Sequence, residues 1–464
     1  MIQYAKTKYG TLESVKSNAG FALFRGVRYA KAPVGQLRFA APQEPDSWEG
    51  VRKCDTFGAA APQGPFDLHD ETGHLKKVMP GYPYPPEISE DCLFLNVYTP
   101  AETADAKLPV MFYIHGGGFQ NWYGSCYEYC GDGLASHGVV VVTLNYRMNV
   151  FGFFAHPDLK KESANGCCGN YGIMDQIQAL RWVRENISAF GGDPENITIF
   201  GQSAGAMSVQ AICCSPLTKG WFRHAAMHSG GALYPFGASR KEGLPIEERS
   251  IQFMEFCGCS TIAELRAMPW ETLEQHSLEF QRFMGLNFMW CSDGYVLPET
   301  VEQCLNHGSM AQVDYLFGCT IDEGIRVTDP SYFASGLAPA VRAMGRTMVD
   351  KGYKAPYVYC FDRPQPGDDI GTPHSCDNRY VFCSLAESWR PYDASDYALS
   401  EQMMTYWTNF AKTGNPNGEG LPTWEPYDNR ELVMRLTTEG SAMADLDTDG
   451  TLKQREEALL ELLK

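Results

Sequence analysis

The chain of 464 residues carries 38 basic and 56 acidic side chains, which gives it a formal net charge of −18. Acidity of this size disfavours nucleic acids and anionic membranes as partners. No apolar run approaches the roughly 20 residues that a membrane-spanning helix needs. The first 20 residues hold no apolar signal-peptide core, so we expect neither a membrane anchor nor a signal peptide.

The sixteen cysteines show no disulfide framework in this long chain. The sequence also contains no CxxC pair, so we do not expect a zinc site. We therefore expect reduced thiols in a cytoplasmic protein, with no metal and no cofactor. No linker, internal repeat or low-complexity stretch divides the chain. The sequence predicts one domain over residues 1–464, and a monomer or a homodimer.

The first third of the chain leads to a glycine-rich loop. Short antiparallel strands at the edge of a sheet are predicted in residues 4–17 and 21–29. Residues 57–89 are rich in glycine, proline and histidine, and this predicts a loop draped over the site entrance. Residues 108–114 form an apolar run typical of a central parallel strand. His115-Gly116-Gly117-Gly118-Phe119 follows at once.

Three consecutive glycines after a buried strand let backbone N–H groups approach a ligand closely. With a nucleophilic serine elsewhere in the chain, this pattern predicts an oxyanion hole formed by Gly117, Gly118 and Ala204. His115 precedes the candidate serine, Ser203, in the chain, whereas the fold that carries this motif places the catalytic histidine after the serine. We expect it to support the loop from beneath and not to act as a catalytic base.

A nucleophile elbow is predicted around Ser203. Residues 197–200 are a short apolar run that predicts a buried strand, and residues 204–214 predict a helix. Gly201-Gln202-Ser203-Ala204-Gly205 joins them, and glycines on both sides suit a turn that exposes the serine. Further strands are predicted at 139–144 and 224–229, and an amphipathic helix at 171–190. The alternation of strand and helix predicts an α/β fold with a large, mostly parallel sheet and helices on both faces.

Two longer stretches carry a family resemblance. Residues 190–205, FGGDPENITIFGQSAG, resemble the serine-site signature of the type-B carboxylesterase/lipase family at every position, and residues 90–100, EDCLFLNVYTP, resemble its second signature. The likeness extends from about residue 20 to about residue 424. It implies the α/β-hydrolase fold and the hydrolysis of carboxylic esters through an acyl-enzyme on Ser203. It also implies that Arg38 pairs with Glu90.

The resemblance extends to the other two members of a catalytic triad. Residues 314–319 predict a strand, and Thr320-Ile321-Asp322-Glu323-Gly324 after it looks like the family's acid turn, which implies Glu323 as the acid and not Asp322. This fold keeps the order serine, acid, histidine. His374 is the only one of ten histidines that follows Glu323, and we predict it as the base.

Substrate preference is predicted from three features. By resemblance, residues 229–236 form part of an acyl pocket, so we predict Tyr234 and Phe236 as substrate-binding. We also predict Phe119, which follows the glycine-rich loop, as substrate-binding. Residues 281–290, QRFMGLNFMW, are typical either of a helical core or of an apolar wall. Cholinesterases of the family carry a tryptophan in the loop that corresponds to residues 57–89, which this chain lacks. A neutral carboxylic ester of small or medium size is therefore the predicted substrate, and a choline ester is not expected.

The chain departs from the family pattern at three places. Many relatives have glutamate where Gln202 precedes the nucleophile. Secreted members pair the cysteine of the second signature with one shortly before it, whereas Cys54 is the nearest cysteine upstream of Cys92. Only 51 positions separate Glu323 from His374. Relatives carry a longer, helical segment between these two positions, so we predict that one wall of the site is shorter and that the site is more open. Carbamate or amide hydrolysis, a lyase step and a non-catalytic binding role remain as alternatives.

Overall fold

A computed structural model describes residues 1–64, 87–233, 245–284, 288–323 and 337–461. The described residues form fourteen strands: β1 Tyr4–Lys6, β2 Thr11–Glu13, β3 Val15–Lys16, β4 Ala22–Arg28, β5 Val51–Lys53, β6 Phe94–Thr99, β7 Leu108–Ile114, β8 Val140–Leu144, β9 Gly192–Gln202, β10 His224–His228, β11 Asp314–Thr320, β12 Tyr357–Phe361, β13 Val433–Leu436 and β14 Ala442–Ala444.

The described residues also form thirteen α-helices: α1 Asp132–Ala135, α2 Asn149–Phe153, α3 Pro157–Glu162, α4 Tyr171–Asn186, α5 Ala204–Cys214, α6 Ile246–Phe256, α7 Ile262–Ala267, α8 Trp270–Met284, α9 Val301–His307, α10 Leu337–Asp350, α11 Asn378–Val381, α12 Ala394–Thr413 and α13 Thr451–Glu461. Short 3₁₀ turns join several of them, among them Ile187–Phe190 after α4 and Ile321–Glu323 after β11.

Eleven strands form one sheet in the order β14-β13-β12-β11-β10-β9-β7-β8-β6-β4-β3. The seven strands from β13 to β8 are mutually parallel. Outside this group, each strand pairs antiparallel with its inner neighbour: β14 with β13, β6 with β8, β4 with β6 and β3 with β4. Because these seven strands point in the same direction, their carboxyl ends share one edge of the sheet. The loops after β7, β9, β10, β11 and β12 therefore converge.

Helices cover both faces of this sheet, as the alternating pattern predicts. Leu180 and Val183 of α4 pack with Ile212 of α5 in the buried cluster on one face. Met403 and Trp407 of α12 belong to the cluster on the other face. Strands buried on both faces read as continuous apolar runs, which is why β7 and β8 were recognisable from sequence.

The central elements agree closely with their predictions. Strand β7 and helix α5 match the predicted bounds to the residue, whereas β9 begins five residues before the predicted strand. Helix α4 ends earlier than predicted, because Ile187–Phe190 is a 3₁₀ turn. Gly191 caps this turn in a left-handed conformation, with a φ of 77°. The predicted loop at 57–89 lies mostly outside the described residues.

The prediction for the amino-terminal strands needs correction. Strands β3 and β4 do lie at the edge of the large sheet, as predicted for this region. Strands β1 and β2, however, pair with β5 in a separate three-stranded sheet. Their short length hides this, because three-residue strands carry too little periodicity to identify their partners.

The predicted pair of Arg38 and Glu90 is confirmed and buried. Arg38 Nε donates to Glu90 Oε1 at 2.7 Å, and both residues are less than a tenth exposed. The same guanidinium donates to the carbonyl oxygens of Leu265 and Met268 at the end of α7. The pair therefore anchors the start of β6 to the helices that follow residue 245, and it has a structural role.

Candidate active site

Ser203 lies in a strained turn between β9 and α5. Its φ is 56° and its ψ is −124°, a conformation that non-glycine residues rarely adopt. The backbone N–H of Ser203 donates to the carbonyl oxygen of His228, at the end of β10, at 2.8 Å. The turn thus holds the serine at the carboxyl edge of the sheet and at the amino terminus of a helix, where negative charge is favoured.

The glycines of the elbow are required by packing. A Cβ on Gly205 would overlap with the carbonyl oxygen of Ile114 in β7, and one on Gly201 would lie 2.6 Å from the Gly205 carbonyl oxygen. Helix α5 can therefore start directly against the end of β7 only because both positions lack a side chain.

The predicted acid and base meet at this edge. His374 Nδ1 and Glu323 Oε2 lie 2.8 Å apart. Glu323 ends the turn after β11 and is buried, while His374 is half-buried in the loop after β12. The structure thus brings together two residues that are 51 positions apart, and it leaves Nε2 of the imidazole on the side away from the carboxylate.

Two hydroxyl groups hold the Glu323 carboxylate. Ser229 Oγ donates to Glu323 Oε1 at 2.6 Å, and Thr320 Oγ1 donates to the same oxygen at 2.8 Å. Sequence reasoning missed both roles, because Ser229 was assigned to the acyl pocket. The available signal was a serine at the carboxyl end of a predicted strand, since this end falls on the edge where the acid also lies.

The pair favours ionised forms. Burial opposes ionisation of Glu323, but the charge of His374 and the hydroxyl hydrogen bonds outweigh it and lower the pKa of Glu323. Burial disfavours protonation of His374, but Glu323, and to a lesser extent Asp377, outweigh that effect and raise its pKa. The carboxylate therefore stabilises an imidazolium, which is what a histidine base becomes during proton transfer.

Gln202 occupies the free side of the imidazole. Its Nε2 lies 3.1 Å from His374 Nε2, and its side chain is buried. No hydrogen bond joins Ser203 to His374 in the part of the chain that the structure describes. The Gln202 amide therefore lies on the side of the imidazole that a serine hydroxyl would have to approach to give up its proton.

The glycine-rich loop lies against the elbow. A Cβ on Gly116 would come within 3.0 Å of the Ser203 Cβ, so the loop and the serine touch. Gly117 and Gly118 have φ values of 96° and 64°. Neither backbone N–H takes part in a hydrogen bond between described residues. Ala204 opens α5, where the first N–H groups have no partner inside the helix.

His115 lies beneath this loop, as predicted. Its ring stacks on Tyr146 at 4.5 Å, and Nδ1 lies 2.9 Å from the carbonyl oxygen of Gly116. Tyr146 Oη donates to the His115 carbonyl oxygen at 2.9 Å. Burial lowers the pKa of His115 to about 4, so the ring is neutral at physiological pH and supports the loop without adding charge.

A cleft opens to solvent beside Ser203, and its empty space, open solvent included, is about 470 Å³. Apolar side chains of Met207, Trp290 and Leu337 line it, together with the polar Gln210 and Glu302. Both interpretations of residues 281–290 hold in part. Phe288 packs in the core against Phe253 and Phe280, whereas Trp290 forms part of the cavity wall.

The predicted substrate-binding residues are not part of the described cavity wall. Phe119 is buried, and its ring packs edge-on against Phe153 at 5.2 Å. Tyr234 and Phe236 lie outside the described residues. The substrate contacts of all three residues stay predictions.

Known proteins match nearly the whole chain. The sequence profile of the carboxylesterase family covers residues 3–334 and 333–455. The chain belongs to the carboxylesterase family. The para-nitrobenzyl esterase of Bacillus subtilis (strain 168) is 33% identical to this carboxylesterase over 93% of the chain and 94% of its own length. The human cocaine esterase is 33% identical over 92% of the chain and 86% of its own length.

Solved structures agree with the sequence relatives. A thermophilic PNB esterase superimposes on this carboxylesterase with a TM-score of 0.85 and 30% identity, covering 99% of the chain and 100% of its own. The carboxylesterase Est55 of Geobacillus stearothermophilus gives a TM-score of 0.80 at 30% identity, covering 98% and 99%. The fold is the α/β-hydrolase fold, and the protein is a serine carboxylesterase, a carboxylic ester hydrolase. None of its described helices combines the length and the apolar character needed to cross a membrane.

Proposed function

We propose that this carboxylesterase hydrolyses neutral esters of small or medium size through an acyl-enzyme on Ser203, with His374 as general base and Glu323 as the acid that orients it. The observation that carries the proposal is the 2.8 Å contact between His374 and Glu323 beside the strained serine elbow. Gly117, Gly118 and Ala204 are proposed as the oxyanion donors.

The proposed reaction has two halves. His374 Nε2 takes the proton of Ser203 as Oγ attacks the ester carbonyl, and the imidazolium then protonates the leaving alcohol. Water attacks the acyl-enzyme by the same route and releases the acid. Each half develops an oxyanion, and each N–H donor aimed at it contributes about 3–4 kcal/mol in enzymes where one was removed. Before the first step, Ser203 must replace Gln202 as the hydrogen-bond partner of Nε2.

The proposed substrate is uncharged. Gln202 places a neutral amide next to the nucleophile where many relatives have a carboxylate. The cavity wall supplied by Met207, Trp290 and Leu337 suits an apolar acyl or alkyl group. On p-nitrophenyl acetate and butyrate, we expect kcat/KM to exceed that on butyrylthiocholine by at least about tenfold, a difference of about 1.4 kcal/mol.

A pair of serine variants tests the nucleophile. Ser203→Ala should lower kcat on p-nitrophenyl butyrate by on the order of 10⁴-fold or more. It should also remove the mass adduct that an organophosphate leaves on the wild type. Ser136→Ala is the matched control, because this serine is exposed at the end of α1. Normal turnover or an adduct in Ser203→Ala would remove Ser203 from the mechanism.

We also propose a cytoplasmic location and a single domain, in a monomer or a homodimer. All sixteen cysteines are free thiols in the structure, and Cys54 and Cys92 are both buried. Thiols in this state are typical of a reducing compartment. Titration of the denatured protein with a thiol reagent, after purification without reductant, should count sixteen thiols. A count of fourteen or fewer would contradict the proposed location.

A further inference from the structure

A second buried carboxyl group lies near the glycine-rich loop. Glu274 of α8 is 4% exposed, and no basic side chain pairs with it among the described residues. Its one hydrogen-bond partner there is the side-chain amide of Asn149, whose Nδ2 lies 3.3 Å from Oε1 and 3.5 Å from Oε2. Carboxyl groups are almost never fully buried without a charged partner unless they are neutral.

Asn149 connects this carboxyl group to the loop. Its backbone N–H donates to the carbonyl oxygen of Phe119 at 2.8 Å, and its Nδ2 donates to that of Gln120 at 2.8 Å. Phe119 and Gln120 directly follow Gly118. Asn149 has a φ of 51°, a region that asparagine tolerates better than most residues. Asn149 therefore fixes two consecutive peptide groups next to the proposed oxyanion donors, one through its backbone N–H and one through its side-chain amide.

The surroundings of Glu274 favour its neutral form. Burial raises the pKa of Glu274 to about 8, and the Asn149 amide opposes this only in part. Helix α2, on which Asn149 lies, carries no titratable side chain. Helices α6 and α8 carry several, and none of them shifts this pKa: Glu247, Glu248, Arg249, Glu255, Glu271, His276, Glu279 and Arg282.

The contact geometry also fits a neutral carboxyl group. Its distances of 3.3 and 3.5 Å are long for a charge-assisted hydrogen bond, which is usually 2.7–2.9 Å. Asn149 Oδ1 is buried and has no hydrogen-bond partner in the described parts of the chain. A protonated carboxyl group carries one O–H donor, and this acceptor lies on the same amide that Glu274 contacts.

We propose that Glu274 is a positioning residue for the oxyanion loop. Its neutral carboxyl group leaves the Asn149 amide hydrogen-bonded to the Gln120 carbonyl oxygen, whereas the ionised carboxylate draws the amide away from that oxygen and loosens the loop. Nδ2 has two N–H donors but three acceptors around it: the carbonyl oxygens of Gln120 at 2.8 Å and Pro62 at 3.3 Å, and the carboxyl group of Glu274. A carboxylate accepts hydrogen bonds about twice as strongly as a neutral group, so an ionised Glu274 competes with these carbonyl oxygens for the two donors. The inference rests on the proposed function, because it takes Gly117 and Gly118 as the donors that the loop positions.

The test is a pH profile of kcat/KM on p-nitrophenyl butyrate between pH 6 and 9.5, with Ser203→Ala subtracted as the blank. The wild type should lose activity at alkaline pH with a midpoint near 8. Glu274→Gln, which cannot ionise, should keep its activity to pH 9.5 and stay within about twofold of the wild type at pH 7. Glu271→Gln, at an exposed position of the same helix, should keep the wild-type midpoint.

A second variant keeps the proposal testable if Glu274→Gln folds poorly. Asn149→Gly tolerates the positive φ but removes the amide, so kcat should fall by about tenfold or more with little change in KM. The alkaline midpoint near 8 should disappear as well. An unchanged midpoint in either folded variant overturns the inference, even if Ser203→Ala is inactive. Full activity in Ser203→Ala overturns the proposed function instead.

Discussion

At the scale of single residues, the side chain of Gln202 determines whether a charged or a neutral group lies next to Nε2 of His374, the proposed base. The amide lies 3.1 Å from His374 Nε2, opposite the carboxylate of Glu323. The imidazole thus has an anion on one side only. Because each nearby carboxylate raises the pKa of a histidine, a neutral residue here keeps the base available at lower pH than a glutamate would.

Exchange of this amide for a carboxylate tests that argument. In Gln202→Glu, a second anion should raise the pKa of His374 further, so the acid limb of kcat/KM should move to higher pH by about one unit. Gln454→Glu, exposed on α13, is the matched control and should leave the limb in place. A limb that does not move, or moves to lower pH, would contradict the assigned role of His374.

A second prediction at this scale distinguishes Glu323 from the adjacent Asp322 as the acid of the proposed triad. Glu323→Gln should lower kcat by on the order of 10³–10⁴-fold, because a neutral amide does not stabilise the imidazolium. It should also move the acid limb to lower pH, since Glu323 is what raises the pKa of His374. Asp322→Asn is the matched comparison. Asp322 accepts the Thr372 N–H, so we expect a loss of less than about tenfold. The reverse order of effects would exchange their roles.

At the scale of elements, the turn between β9 and α5 shows why local strain persists. Ser203 holds an unfavourable conformation because the end of β7 packs directly under Gly205 and fixes the start of the helix. Strain of this kind costs on the order of 1–3 kcal/mol and needs tight surroundings. The glycines are therefore part of the serine's placement and not simply flexible points.

A methyl group at this contact should destabilise the protein. Gly205→Ala would press its Cβ into the Ile114 carbonyl oxygen, and we expect a loss of about 3 kcal/mol or more in the free energy of unfolding. Gly220→Ala is the control. Its φ is 76° but no atom lies within 4 Å of the added Cβ, so only the backbone penalty of about 1–2 kcal/mol applies. Equal losses in urea denaturation would show that packing at Gly205 is unimportant.

Periodicity explains which elements the sequence predicted. Strands β7 and β8 and helices α4 and α5 are long and either uniformly apolar or regularly amphipathic, and all four occur near their predicted positions. Helices α6 to α9 were not predicted, apart from the alternative left open for residues 281–290. All four lie within the single connection between β10 and β11, so no strand–helix alternation marks them.

The site was less predictable than the sheet. The elbow motif led to Ser203, the family resemblance to Glu323, and the order of the triad in this fold to His374. The structure brings their loops to one edge, while their catalytic roles stay predictions. The hydrogen bonds of Ser229 and Gln202 were not predicted, because they depend on side-chain directions that only packing determines. The same holds for Glu274, whose pairing with Asn149 joins residues 125 positions apart.

At the scale of the whole molecule, the buried carboxyl group of Glu274 makes stability depend on pH. Its folded pKa of about 8 lies above the usual value near 4.3 in an unfolded chain. The neutral group's contribution is therefore complete below about pH 4.3 and is lost as pH rises through the folded pKa. In that window, each pH unit should reduce the stability of the wild type relative to Glu274→Gln by about 1.4 kcal/mol. Urea denaturation of both proteins at pH 5, 6, 7 and 8 measures the difference. A difference that does not change with pH would show that Glu274 is ionised in the folded state.

The order of strands in the sheet has a consequence for synthesis on the ribosome. After β9 has paired with β7, strands β10, β11, β12 and β13 each add beside the one before, in the order in which they leave the ribosome. None of the later strands among the described residues has to insert between two finished neighbours. A chain released before residue 433 would instead expose the full length of β12 as an unpaired parallel edge, a template for aggregation. Translation must therefore continue about sixty residues beyond His374, the last member of the proposed triad, before that edge is covered.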